Sequence, residues 1–141
     1  MRIYGPSGTR SGAFDRNPVT IVAGLNTTVG PATSTTFATY TAPANRRATL
    51  VVSVTATVNI VLVAGMTATA QIQVTPSGGA ATRVAGQQTE AAAPVGREVG
   101  VVGVVINLKP GDAVSVIVNV DAGATGQVNG YGGLQGVEYD V

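Results

Sequence analysis

Glu138 and Asp140 stand two residues apart near the end of the sequence. On a β-strand that spacing puts both carboxylates on one face, the least that paired-carboxylate hydrolysis requires. Exposed terminal charge is the plainer reading of the pair. The remaining acids, Asp15, Glu90, Glu98, Asp112 and Asp121, are scattered, and turn chemistry accounts for Asp112 and Asp121. No Asp-x-Asp-x-Asp-Gly spacing offers a calcium loop. The chain contains no His and no Cys. Imidazole bases, thiolate nucleophiles and disulfides are thereby excluded, together with almost every zinc, copper or haem site. A nucleophilic serine would have no base to activate it, and no Gly-x-Ser-x-Gly elbow is present. We therefore expect no catalytic residues, no metal site, no cofactor and no enzyme activity.

Phosphate chemistry fails in the same way. The Gly-rich stretches Gly5–Gly8 and Gly130–Gly136 contain no Gly-Lys-Ser/Thr and no strand-to-helix Gly-x-Gly-x-x-Gly setting. Loops and close strand packing explain them. Arg46 and Arg47 open the longest alternating stretch and could meet phosphate or a partner carboxylate; an Arg pair at a strand mouth reads as an ion-pairing surface. Eight basic residues oppose seven acidic ones, charged residues make up 11% of the chain, and no aromatics interleave with the basic ones. Nucleic acid is not an expected partner.

The elements that would carry these residues are strands. At 141 residues the chain is one domain long, and it can bury roughly two-thirds of its unfolded surface. From Ala48 to Leu62 the even positions hold Ala48, Leu50, Val52, Val54, Ala56, Val58, Ile60 and Leu62, with Thr, Ser and Asn on most odd positions. This period of two predicts a half-buried strand, and its length predicts a bend or bulge near Thr55 to Asn59. Met66 to Val74 repeats the alternation, Pro76-Ser77-Gly78-Gly79 makes a turn, and Ala81 to Ala85 returns as a short strand. Gln87 to Val95 reads as a loop or one helical turn. Val99 to Leu108 is nearly continuous apolar sequence, as in a strand buried on both faces or at a subunit contact. Lys109-Pro110-Gly111-Asp112 is a tight turn, Val114 to Val120 the return strand, Asp121 to Gly133 a Gly-rich loop, and Leu134 to Val141 the closing strand.

Residues 1–34 differ from the rest. They hold five Gly and three Pro, one strand candidate at Val19 to Ala23, and Arg2, Arg10 and Arg16 against the single acid Asp15. We read them as an extended N-terminal arm in front of a β-domain over residues 35–141. Ile3, Tyr4 and Phe14 are apolar side chains that a solvated tail would not need. Six to eight strands with almost no helix predict an all-β antiparallel sandwich or jelly roll. Its faces carry Thr, Ser, Asn and Gln where Lys and Glu would guard a monomer against edge pairing, so other subunits are expected to cover them. The longest apolar run, Ile60 to Met66, is too short to span a bilayer, and the start shows no apolar leader. No membrane contact is expected, and synthesis in a cytoplasm is.

One stretch carries a family likeness. Val104-Val105-Ile106-Asn107-Leu108-Lys109-Pro110-Gly111-Asp112-Ala113-Val114-Ser115-Val116, followed by Gly130-Tyr131-Gly132-Gly133-Leu134-Gln135-Gly136-Val137-Glu138-Tyr139, resembles the last strands of tumour-necrosis-factor-like and complement-type globular heads. Tyr40-Thr41-Ala42-Pro43 is similar to their approach to the inner sheet, and the likeness covers about residues 35 to 141. Leu134 stands where those heads usually carry an aromatic. The resemblance implies a jelly roll that packs as a homotrimer around an apolar axis. The Met1-Arg2-Ile3-Tyr4-Gly5-Pro6 start resembles small bacteriophage and prophage virion proteins, among which decoration and fibre-tip proteins reuse this architecture.

The expectation that follows is a capsid decoration (cement) protein, bound as a trimer to the major capsid protein on the outside of a phage head. Ile3, Tyr4 and Phe14 would anchor its arm, and Arg2, Arg10 and Arg16 would steer it onto an acidic shell. The alternative is a receptor- or carbohydrate-binding head of a tail or fibre, with Tyr131 as its loop-tip contact.

Overall fold

From Ala48 to Ala56 every even-numbered side chain is buried and every odd one is half-buried or exposed. That alternation builds the molecule. In the computed structural model, residues 16–29, 34–61, 67–90, 97–120 and 125–141 are described. They form β1 (Arg16–Val29), β2 (Ser34–Thr41), β3 (Arg46–Val61), β4 (Thr67–Thr75), β5 (Thr82–Glu90), β6 (Arg97–Leu108), β7 (Ala113–Val120) and β8 (Thr125–Asp140). Two four-stranded sheets result, in the orders β1-β8-β3-β6 and β2-β7-β4-β5. All pairings are antiparallel, and β1 pairs with β8, β2 with β7, β3 with β6 and β4 with β5. The chain is thus one long hairpin rolled over on itself, sealed by the β3·β8 and β4·β7 pairs. This is the expected antiparallel sandwich with jelly-roll winding.

The core lies between the sheets. Leu50, Val52 and Val54 of β3, Leu108 of β6 and Leu134 of β8 meet Ile72 of β4 and Val114, Val116 and Val118 of β7, all essentially solvent-free. Each such side chain contributes about 1.5–3 kcal/mol of transfer free energy. Two turns form as their residues dictate. Gly79 N–H donates to Pro76 O at 2.9 Å, and Asp112 N–H donates to Lys109 O at 3.0 Å. Gly111, at φ +81°, follows Pro110 in the position where a type II turn needs positive φ.

The structure differs from the sequence reading at five places. Arg16–Val29 is not arm but a strand paired with β8 along its whole length. The other residues assigned to the arm, Arg2, Ile3, Tyr4, Arg10 and Phe14, lie outside the described residues. β5 runs on through Gln87 to Glu90, where a loop or helical turn was expected. β8 begins at Thr125, which makes a strand of most of the expected Gly-rich loop. The bulge is not at Thr55 to Asn59: the β3·β6 register shifts between Val52 and Val54, where Val102 and Gly103 together face Ser53. Gly103 takes φ +74°, and its N–H donates to Ser53 Oγ at 3.0 Å. Finally, β6 is an edge strand buried on one face only, with Val102 and Val105 exposed, so of the two readings of its apolar run burial on both faces is the one that fails.

Candidate functional site

The outward face of the β1-β8-β3-β6 sheet is built from positions of one parity, because side chains alternate across a strand. Its register rows cross the four strands. Arg16, Tyr139 and Arg47 share the first row, and Pro18, Val137, Thr49 and Asn107 the second. Thr20, Gln135, Val51 and Val105 follow, then Val22, Gly133 and Ser53 beside the Val102 bulge. Gly24, Tyr131, Thr55 and Gly100 make the next row, and Glu98 pairs with Thr57 beyond it. Of the seven large apolar residues exposed among the described ones, Val22, Val51, Val102, Val105 and Tyr131 belong to this face, each 47–72% exposed. Between the Arg16 row and the Glu98 row no side chain is charged. The outer face of the other sheet is unlike it. There Thr36, Thr39, Ser115 and Gln73 are outward, Thr39 Oγ1 and Ser115 Oγ lie 2.9 Å apart, and the sheet's one exposed large apolar residue among those described is Val84 at the β5 bulge.

An open groove of about 740 Å³ crosses this face at the Glu98 end, lined among others by Thr55, Thr57, Glu98, Gly100 and Tyr131. Gly100 supplies its floor for lack of a side chain. The Gly100 N–H donates to Gln87 Oε1 at 2.7 Å, so a side chain of β5 closes the backbone edge of β6 where the two sheets meet. Tyr131 lies inside β8, between Gly24 and Thr55, not at a loop tip.

The inward parity at the opposite end is polar. Arg46 Nη2 and Asp140 Oδ1 are 3.2 Å apart on adjacent strands, both side chains about four-fifths buried. Tyr40 Oη, Arg46 Nη1 and Glu138 Oε2 are shut off from solvent with no hydrogen-bond partner among the described residues. Burial first, and the negative charge of Glu138 second, push the Tyr40 phenol above its ordinary value, with Arg46 pulling the other way. Glu138 and Asp140 are therefore not exposed terminal charges. They turn in and close one end of the core against β2 and β3. Even parity on β8, shared with the buried Leu134, was the sequence signal for this. Arg47, one residue on, faces outward and is exposed.

Of the residues singled out from sequence, the structure therefore separates Arg16 and Tyr131 by most of the sheet's length and places both on one face. Among the described residues no three His, Cys, Asp or Glu side chains come together. No helix among them is long and apolar enough to cross a membrane. The valine-bearing face itself escaped the sequence reading, although Val51 breaks the alternation of β3 and Val105 lies in the nearly continuous apolar run of β6.

No protein-family model matches this chain, and no curated protein matches it in sequence. Solved structures to which it is similar include virus particles. It is similar to a chain of infectious bursal disease virus, Gx strain, with TM-score 0.58 and 11% identity, covering 92% of this chain and 37% of that one. T=1 particles derived from infectious bursal virus give TM-score 0.55 and 13% identity, over 94% of this chain and 37% of theirs. The T13 particle of that virus gives 0.54 and 8%, over 94% and 36%. This chain spans little more than a third of those chains, and at such identities the likeness is one of fold.

Proposed function

We propose that this chain is a non-enzymatic virion structural protein, a decoration or cement protein that binds the major capsid protein on the outside of a bacteriophage head. The carrying observation is the outer face of the β1-β8-β3-β6 sheet, which exposes valines around a charge-free centre as few free-standing surfaces do. A jelly roll like those of virus particles supports the reading. Burying the apolar side chains of the arm across a joint between capsomers gains on the order of 25 cal/mol per Å² of apolar area, and arms on several joined copies multiply the effective affinity. Ile3, Tyr4 and Phe14 anchor the arm in this reading; Arg2 and Arg10, with Arg16 at the mouth of β1, steer it.

The test is cosedimentation of the purified chain with undecorated heads assembled from the capsid protein of the same genome. Saturable binding is expected, and its absence overturns decoration. Deleting residues 1–15 spares every described strand and should abolish binding; unchanged occupancy overturns the arm's role. Self-association belongs to the same reading, with the trimer as the form the resemblance implies, and the mass of the purified chain in solution tests it.

A second reading, a carbohydrate- or receptor-binding head of a tail fibre, draws on the exposed Tyr131 ring beside the hydroxyls of Thr55 and Thr57 and the Glu98 carboxylate. Binding of the purified chain to host cells in place of heads would favour it.

A further inference from the structure

The outer face of the β1-β8-β3-β6 sheet is patterned along the strands as well as exposed. Its cations, Arg16 and Arg47, stand in one end row, and its anion, Glu98, stands at the other end beside Thr57. All three are exposed. We propose that this face is covered by the same face of a second copy of the chain, related by a two-fold axis that crosses the strands at the level of Val52. The proposal rests on the self-association reading above and not on the virion one.

The register decides the geometry. Turning one face over about that axis lays the Thr57 row on the Arg47 row, which brings Glu98 of each copy to within one strand spacing of Arg47 of the other. That offset is about 4.8 Å, within the reach of an arginine. The same operation sets the bulged Val102 over Val105, because their rows lie on either side of the axis. It also sets the Tyr131 ring over Val137. Apolar groups thus meet along β6 and β8, uncharged side chains meet along β1 and β3, where Val22 faces Thr20 and Val51 faces Ser53, and opposite charges meet at both ends.

Other arrangements do worse. A two-fold axis parallel to the strands, or a three-fold axis with strands running along it, brings each row against its own copy. Arginine then faces arginine, and Glu98 has no cation. The chosen axis also keeps the strands of the two sheets aligned, the usual packing of face-to-face sheets. The face is large enough: four strands of about eleven residues present roughly 700 Å² per copy, close to the roughly 800 Å² that each partner contributes to a standard interface.

The experiment is sedimentation equilibrium of the full chain at micromolar concentration, on the wild type and on three variants at exposed positions. A dimer is expected, or a hexamer if trimers built on other surfaces are joined in pairs by this contact. A trimer overturns the two-fold contact and leaves the trimeric virion reading standing; a monomer overturns self-association altogether. Arg47→Glu and Glu98→Arg should each raise the dissociation constant on the order of tenfold, and the two together should return it to within about threefold of wild type. Additive weakening in the double variant overturns the register. Val105→Asp should leave a folded monomer by circular dichroism; a dimer of unchanged affinity overturns the choice of face.

Discussion

The carboxylate of Asp112, in the β6–β7 turn, accepts the backbone N–H of Ser77, in the β4–β5 turn 35 residues away, at 2.9 Å. Its second oxygen accepts the Lys109 N–H at 3.0 Å, and its backbone oxygen accepts the Ala42 N–H at 2.9 Å. One residue therefore ties three connections at one end of the sandwich. The Leu-Lys-Pro-Gly-Asp sequence thus has a structural reason of its own: Pro110 and Gly111 shape the turn, and Asp112 fastens it to its neighbours.

Asp112→Ala should cost about 1–2 kcal/mol, since two N–H groups lose a charged acceptor but remain close to water. Urea unfolding checks it. Asp112→Asn, which keeps one acceptor oxygen, should recover about half the loss.

Two glycines of β8 make a matched pair. A Cβ at Gly136 would fall on the backbone of Thr49 and Leu50, which no side-chain rotation can clear, whereas a Cβ at Gly133 would meet nothing within 4 Å. Gly136→Ala should destabilise by about 3 kcal/mol as an overpacked site, and Gly133→Ala should be neutral or stabilise by up to about 1 kcal/mol. Equal effects in urea melts would show that the β3·β8 approach is looser than described.

Those glycines also explain what was legible and what was not. Apolar alternation made β3, β4 and β7 readable, because Leu50, Ile72 and Val116 each sit one step from a polar neighbour. β8 was read as a loop up to Gly133 because Gly130 and Gly132 occupy its inward positions, and a residue without a side chain leaves no hydrophobic trace. At Gly132 a Cβ would meet the side chains of Val116 and Phe37 from the facing sheet. Glycine here marks close approach, not a turn. Pro18 and Gly24 punctuate β1 and mask it in the sequence, and an edge strand tolerates both. Val51 and the apolar run of β6 hinted at outward valines, but joining them with Val22 and Tyr131 into one face needed the register of four strands.

Arg46 is the cation that faces Asp140, with Glu138 on the same side of β8. Arg46→Met should cost about 1–3 kcal/mol at neutral pH by leaving two largely buried carboxylates together. Combining it with Asp140→Asn should cost less than the sum of the single changes. A double-mutant cycle by urea unfolding measures that coupling.

Tyr40 sets a limit at high pH. Its phenol is raised above 10.0 in the fold, so the unfolded chain loses this proton first as pH climbs. The contribution is fully present below pH 10.0 and is lost as pH rises through the higher folded value. The urea midpoint should fall more steeply above that pH in the wild type than in Tyr40→Phe. Parallel curves would remove Tyr40 from the account.

The nested pairing of first strand with last has a consequence for how the molecule is made. β8 lies between β1 and β3 and is hydrogen-bonded to both. While the ribosome works towards residue 125, β1 has no partner, and the sheet that carries the valine face is missing its second strand. That sheet is closed only when synthesis of the sandwich is nearly over. Long-range pairing of this kind is slow. Newly made chains must therefore pass through an interval in which β1 and the flank of β3 are open to any strand nearby, including those of a neighbouring nascent copy.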